Sequence, residues 1–354
     1  KNIQKPASLC YKKLSMSKRN LSVNPKNGFK EFKDLSIIFQ NFKNKLNNLN
    51  RKSYTVAVSG GPDSLALVAL TKAYSYTKKT KFRYVLIDHN IRKNSTVEAK
   101  QVKNLLKKNK INLKIILNKK KITKNIQGLA RNTRYEILSN YCKRNKTNTL
   151  LTAHNLEDQV ETFLMRLSRG SGLKGLSAMN SSSKIKNKIN LYRPLLDTKK
   201  EYLEKISRKT FGKYFKDPSN KNLKYLRTKV RNLKKPLENS GIEYDQIIKS
   251  INNLASSKAT LEGYFKKIFK EIIKKKNKEI LINFNKFKEH NKEIKIALIN
   301  ESIKRIKKNY YSIRSKKVNN LIKNIEKINF KKSTLGGCVF VIKKDYLSLK
   351  IEKT

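Results

Sequence analysis

The chain reads as an α/β protein: a Rossmann-like parallel sheet with helices on both faces, followed by a mostly helical C-terminal domain. Three observations predict this. Strand-like and helix-like stretches alternate from Tyr54 to Thr152, the pattern of parallel strands joined by helical crossovers. The first strand runs through a glycine turn straight into an apolar helix at Ser59-Gly-Gly-Pro-Asp-Ser64. Beyond about Glu238 the composition shifts to long Lys/Ile/Asn-rich stretches that read as helices.

Taken in order, Leu35 to Leu46 reads as a short helix and Tyr54 to Val58 as a buried strand. At Ser59, Gly60, Gly61 and Pro62 the chain turns, and Asp63 and Ser64 lead into a helix over Leu65 to Ala73. Glycines let a backbone approach a phosphate with no Cβ in the way. The N–H groups of the turn and the helix dipole favour an anion, and Pro62 suits the first helical turn, where its missing N–H costs nothing. Asp63 is the odd member, because a carboxylate repels a polyphosphate unless a cation such as Mg²⁺ sits between them. An ordinary helix cap would explain Ser-Gly-Gly alone. The common P-loop needs Gly-Lys-Ser/Thr and the dinucleotide fingerprint needs Gly-x-Gly-x-x-Gly, and neither is here.

Phe82 to Ile87 reads as the second strand, ending in Asp88-His89-Asn90. A helix (Val97 to Leu106), a strand (Leu113 to Leu117), a helix (Leu129 to Tyr141) and a strand (Thr149 to Thr152) follow. Ligands of such sheets sit at the carboxyl ends of the strands, so the loop 59–64, Asp88, His89 and His154 should converge. His154, Asp158 and Glu161 are spaced four and three apart, which places them on one face of a helix starting near Asn155. Acids at a helix start also favour its dipole. Arg131 and Arg134 stand one helical turn apart, and Arg166 and Arg169 flank a small-residue loop that suits phosphate. Ser181 to Asn190 reads as a loop, Leu191 to Leu196 returns to the core, Lys199 to Lys209 is helical and Asp217 to Asn220 is a turn. Leu223 to Asn232 is a helix carrying Arg227 and Arg231 at i, i+4, which suits a phosphate backbone or a solvated face. Leu335 to Ile342 and Tyr346 to Ile351 read as a terminal hairpin.

The 354 residues suffice for two or three domains. The expected division is a basic, disordered N-terminal extension over 1–45, a catalytic domain over 46–237, and a basic, mainly helical domain over 238–354. Net charge is +59, from 84 basic and 25 acidic residues, which favours polyanionic partners. Of the basic residues 69 are Lys, spread throughout, as an AT-rich genome would produce; 11 of the 15 Arg lie between Arg83 and Arg231. Cys10, Cys142 and Cys338 are far apart with no Cys-x-x-Cys pair, which argues against zinc, iron–sulfur and disulfide frameworks and fits a reducing cytoplasm. No apolar run approaches the roughly 20 residues of a membrane span. The basic, acid-poor start also allows a transit peptide.

The strand–Ser-Gly-Gly-Pro-Asp-Ser–helix unit resembles the loop of the ATP pyrophosphatase (PP-loop) superfamily. The ordered set is more specific. Ser59 to Ser64, Asp88-His89-Asn90-Ile91-Arg92, Ala130-Arg131 with Arg134-Tyr135, and Ala153-His154 with Asp158-Gln159 and Glu161-Thr162 come first. Arg169-Gly170-Ser171-Gly172, Arg193-Pro194-Leu195-Leu196, Asp217 to Asn220, and Arg227 with Arg231-Asn232 follow. Over roughly Tyr54 to Leu237 this resembles the tRNA(Ile)-lysidine synthetase family. Asn90 departs from it, standing where Gly is frequent, and so does Thr228, where Asn is usual. The resemblance implies the adenine nucleotide alpha-hydrolase-like fold and an ATP-dependent ligase. That ligase joins L-lysine to the wobble cytidine of a tRNA(Ile) with a CAU anticodon through an adenylated cytidine, releasing AMP and pyrophosphate and moving codon recognition from AUG to AUA. It also implies roles: Ser59, Gly60, Gly61, Pro62, Asp63, Ser64, Asp88, His89 and Arg169 at ATP, Asp63 on Mg²⁺, and Arg131 neutralising phosphate charge. His154, Asp158 and Glu161 would surround the lysine amine, and Arg193, Arg227, Arg231 and the basic C-terminal helices would take the tRNA. A homodimer is compatible. Another PP-loop enzyme (a tRNA thiolase or amide-forming ligase) and a non-catalytic basic RNA-binding protein are the alternatives.

Overall fold

The computed structural model describes residues 33–90, 94–118, 126–215, 222, 224–276, 279–307, 313 and 315–352. Packing divides the chain into two compact units, Lys1–Asn252 and Asn253–Thr354. In the first, α1 (Lys33–Leu49) precedes β1 (Ser53–Val58), α2 (Pro62–Thr77), β2 (Lys81–Asp88), α3 (Ser95–Lys108), β3 (Leu113–Leu117), α4 (Ile126–Arg144) and β4 (Thr149–Leu151). Then come α5 (Leu156–Leu167), α6 (Leu173–Leu176), β5 (Ser182–Lys184), β6 (Asn190–Tyr192), α7 (Lys200–Phe211), α8 (Leu226–Asn232), α9 (Lys234–Asn239) and the start of α10 (Tyr244–Ile272).

The six strands form one sheet in the order β3-β2-β1-β4-β6-β5. Every pairing is parallel except β5 with β6. Alternation along the central strands assigns the two faces. Tyr54, Val56 and Val58 of β1 and Tyr84 and Leu86 of β2 join a core with α1, α2, α3 and α7. Ala57, Val85 and Ile87 point the other way, toward Leu138 and Cys142 of α4. Both faces being covered is what makes these strands read as continuous apolar runs.

Three expectations change in this unit. Residues 33–45 do not belong to a disordered extension: they lie in α1, whose Leu35, Phe39, Phe42 and Leu46 recur at helical spacing and are buried in the main core. Each such side chain contributes roughly 1.5–3 kcal/mol of transfer free energy, which outweighs the polar, basic composition around it; residues 1–32 lie outside the described set. The second change concerns the boundary after residue 237, which followed composition, whereas packing carries the first unit on to Asn252. Tyr244, Ile247 and Ile251 of α10 are buried with Leu156 and Val160 of α5. The stretch expected as a loop over 181–190 also contains β5, a three-residue edge strand hydrogen-bonded to β6.

The second unit is mostly helical, but it holds more sheet than the terminal hairpin. The end of α10 is followed by β7 (Ile273–Lys276), β8 (Glu279–Asn283), α11 (Phe284–Glu289), α12 (Lys292–Ile306), α13 (Ser315–Ile325), β9 (Ser333–Leu335), β10 (Cys338–Lys343) and β11 (Tyr346–Ile351). An antiparallel sheet runs β7-β8-β11-β10-β9. Ile280, Ile282, Phe340, Leu347 and Leu349 form one core with α12 and α13. Among the described residues no helix is long and apolar enough to cross a membrane.

Candidate active site

The strand order sets the location. From β1 the chain adds β2 and β3 on one side, then crosses to place β4 on the other side of β1. Such a switch opens a crevice at the carboxyl ends of the two strands. The turn after β1 and the turn after β4 both emerge there, with Val56 paired to Leu151 beneath them.

At the first turn Gly60 adopts φ +82°, and a Cβ there would lie 2.5 Å from a Val102 methyl; the position takes glycine alone. Pro62 opens α2, and Leu65 N donates to Gly61 O at 3.0 Å. Buried Ser64 knots the turn: its Oγ accepts from Ser59 N at 3.1 Å, lies 3.1 Å from Ser59 Oγ, and donates to Gly61 O at 3.0 Å. The first N–H groups of a helix have no acceptor within it, so this turn has the geometry to seat an anion.

Asp63 stands at the same helix start, where the dipole favours a carboxylate. Its Oδ1 is nevertheless buried without a hydrogen-bond partner. Burial first, then the charge of Asp158, push its carboxyl up to about 7, against the pull of Lys200 and of the Asn155 side chain. A half-buried carboxylate with one buried oxygen unpaired, beside such a turn, has the chemistry of a divalent-cation ligand. Mg²⁺ commonly takes one or two carboxylates and completes its shell with phosphate oxygens and water. Among the described residues no group of three or more His, Cys, Asp or Glu gathers around a metal position.

At the second turn Asn155 caps α5. Its Oδ1 accepts from Asp158 N at 2.9 Å while Asp158 Oδ2 accepts from Asn155 N at 3.2 Å, a capping box that satisfies two otherwise unpaired donors. Asp158 is thereby fixed in orientation. His154 Nδ1 lies 3.0 Å from Thr152 Oγ1. Burial, together with Arg193, Arg131 and Arg227, outweighs the nearby Asp158 and brings the imidazole down to about 4, so His154 is neutral at pH 7. One turn along, Glu161 is 4% exposed. Arg231 Nε donates to its Oε1 at 2.6 Å, and Arg227 Nε lies 3.2 Å from Oε2, outside hydrogen-bonding alignment. Burial raises the Glu161 carboxyl, and the Arg231 hydrogen bond opposes this.

The remaining residues divide. Asp88 is buried, and its oxygens accept from Asn90 N at 2.9 Å and Thr96 Oγ1 at 2.7 Å. Burial raises its carboxyl, but these bonds outweigh it and hold it below the usual range; Asp88 ties β2 to the start of α3. His89 Nε2 faces Arg134 Nε at 3.3 Å, and burial and Arg134 bring it down to about 4. Arg131 is exposed and lies over the Tyr135 ring, 5.1 Å from its centroid. Arg169 is exposed on the loop after α5. Arg193 is not an open contact for nucleic acid: it is 8% exposed and donates to Asn180 O at 2.7 Å and Ser183 Oγ at 3.2 Å. Arg227 and Arg231 do face one way, toward Glu161.

A profile of the PP-loop domain matches residues 35–237. A tRNA(Ile)-lysidine synthase of Wolbachia pipientis wMel is 34% identical over 313 residues, 86% of this chain and 72% of that protein. This chain belongs to the tRNA(Ile)-lysidine synthase family. Another of these synthases, from Orientia tsutsugamushi strain Boryong, is 41% identical over 183 residues, 51% of this chain and 41% of its own length. Among solved structures, a U34-tRNA thiolase from Methanococcus maripaludis covers 62% of this chain and 80% of its own, with TM-score 0.52 and 20% identity; that likeness concerns the fold.

Two stretches of the synthase resemblance, Ile91-Arg92 and Asp217 to Asn220, lie outside the described residues. The departure at Asn90 has a backbone reason: its φ is +50°, a left-handed conformation that Asn tolerates better than most residues. Sequence reading passed over Asn155 as an organising side chain. Its signal was present, since Asn three residues before Asp at a helix start spells a capping box. It also passed over Lys200, whose N–H donates to Glu157 Oε2 at 2.9 Å and whose charge reaches Asp63. Nothing local marks that contact, because Lys200 arrives from α7.

Proposed function

We propose that this chain makes lysidine, joining L-lysine to the wobble cytidine of a tRNA(Ile) with a CAU anticodon at the expense of ATP. Family membership supports the activity. The observation that carries the site assignment is the meeting, at one crevice, of the Asp63 carboxylate, its Oδ1 unpaired, with the His154–Asp158–Glu161 face of α5. The turn 59–64 seats the pyrophosphate end of ATP. Asp63 would hold Mg²⁺, which supplies charge neutralisation at the phosphates when bound. Arg131 and Arg169, both exposed, would neutralise charge on the triphosphate.

The cytidine 2-carbonyl oxygen forms a bond to the α-phosphorus and pyrophosphate leaves. The lysine ε-amine then forms a bond to the adenylated ring carbon, and AMP leaves with that oxygen. The ε-ammonium must lose a proton before it attacks. Glu161 is committed to two guanidiniums and Asp158 to its cap. Neutral His154 offers a ring nitrogen on the same face to orient the amine, but an imidazole held at about 4 is too weak a base to take the ammonium proton, which passes to water. Catalysis is positioning and charge neutralisation throughout.

The test is incubation of the full chain with ATP, lysine and unmodified tRNA(Ile). One nucleoside should gain the mass of lysine less water, with AMP and pyrophosphate formed alongside. Release of ADP and orthophosphate, or an unchanged nucleoside, would contradict the proposal.

A further inference from the structure

We propose that Phe215 is a positioning residue for the nucleotide turn. Beyond α7 the chain takes a left-handed step at Gly212, φ +74°, and runs as a short strap through Phe215. The strap is anchored to α7: Arg208 donates to Tyr214 Oη at 3.0 Å, and Tyr214 donates to Glu204 at 3.4 Å. Tyr214 and Phe215 both pack against the main core.

From that anchorage Phe215 N donates to Gly60 O at 3.0 Å. The side chain covers Gly60 itself: ring carbon Cδ2 and Cβ of Phe215 stand 3.5 and 3.8 Å from where a Cβ on Gly60 would project, with the Val102 methyl at 2.5 Å. Gly60 is thus held between α3 and the strap. The physical need is plain. A seat made of backbone N–H groups works only while its peptide planes are aimed, and Gly-Gly is the most freely rotating pair a chain can contain. The Ser64 knot fastens Ser59 and Gly61, and Phe215 fastens the residue between them. Nothing in the local sequence of the turn announces this partner.

The inference rests on reading turn 59–64 as the ATP site. It is tested by titrating ATP into the full chain without tRNA or lysine, for wild type, Phe215→Ala and Phe215→Leu. Phe215→Ala keeps the N–H donor to Gly60 O but loses the side chain that packs the strap on the core and covers the glycine, so the turn must be ordered on binding and ATP binding should weaken roughly tenfold. In turnover it should raise KM for ATP while leaving kcat and KM for lysine near wild type. Phe215→Leu restores apolar bulk and should recover most of the affinity. Unchanged ATP affinity in Phe215→Ala would overturn the inference. So would failure of Phe215→Leu to recover, or parallel losses of ATP affinity, tRNA affinity and melting temperature, which mark general damage. A wild-type chain that binds ATP but makes no lysidine would sink the proposed function and leave this inference standing.

Discussion

Asp63 and Glu161 sit at one crevice on two helices, α2 and α5, and burial raises the carboxyl of each. Their surroundings differ. Each has one buried oxygen outside any hydrogen bond, but Glu161 has the Arg231 and Arg227 guanidiniums within 3.2 Å of its oxygens, whereas Asp63 has the neutral Asn155 side chain. A buried charge that is paired belongs to the scaffold; a buried charge left bare is held ready for something the protein binds. The contrast sets a helix-to-helix strut apart from the proposed ligand-binding group, although each began as an acid near a glycine- or histidine-bearing turn.

The sharpest way to break this contrast is Asp63→Asn. It should lower AMP formation by about 10³-fold, the scale of losing a key charge contact, with tRNA affinity little changed. Its stability signature has a definite sign. The Asp63 carboxyl lies at about 7 in the fold against 3.8 ordinarily. Between those values the native state keeps a proton that the unfolded chain has lost, so wild-type stability falls as pH rises through about 7. Asp63→Asn should remove that fall in metal-free buffer; superimposable melting-versus-pH curves would show that Asp63 is not the buried, bare group described. Glu161→Gln should act on stability instead. It leaves two guanidiniums facing a neutral amide and should cost about 2 kcal/mol in urea unfolding, the low side for a broken buried pair, because the arginines are 33% and 32% exposed.

Next in size are the arginines themselves. Arg231→Ala should cost about 1–2 kcal/mol and Arg227→Ala less, since only Arg231 makes an aligned bond to the carboxylate. Both being engaged by Glu161, Arg227→Ala should change the salt slope of tRNA binding by less than the roughly one unit expected of a free phosphate contact. A full unit would mean that Arg227 leaves Glu161 when tRNA binds. Smallest is the cap: Asn155→Ala should cost about 1 kcal/mol, while Asn155→Ser, which can still cap α5, should cost less. Equal losses would place the importance of Asn155 in its contact with Asp63 rather than in the helix start.

Much of this was legible in the chain. The turn at Ser59 to Ser64 announced itself because each of its residues answers a local demand: a left-handed step at Gly60, a missing N–H at Pro62, a hydroxyl knot at Ser64. The strands of the first unit were legible because burial on both faces makes them continuous apolar runs. The charged strand Ile273–Lys276 and the short edge strand Ser182–Lys184 were not, since an edge strand is held by backbone pairing that leaves little trace in side-chain pattern. Arg193 and the Arg227–Arg231 pair read as open basic groups because charge type is visible in sequence and exposure is not. Helix α1 shows the reverse case: Leu35, Phe39, Phe42 and Leu46 carried the signal of a core helix inside a stretch whose composition suggested an extension.

By itself, then, the sequence determined the alternation of strands and helices from β1 to β4, the glycine turn and the family, since these rest on periodicity and turn chemistry between near neighbours. Only the tertiary structure decided that β4 lies beside β1, that Glu161 is bound by arginines 66 and 70 residues further along, and that Phe215 closes over Gly60. Those outcomes depend on which distant surfaces meet, and the energy of a buried charge or a covered glycine is set by whatever arrives from elsewhere in the chain.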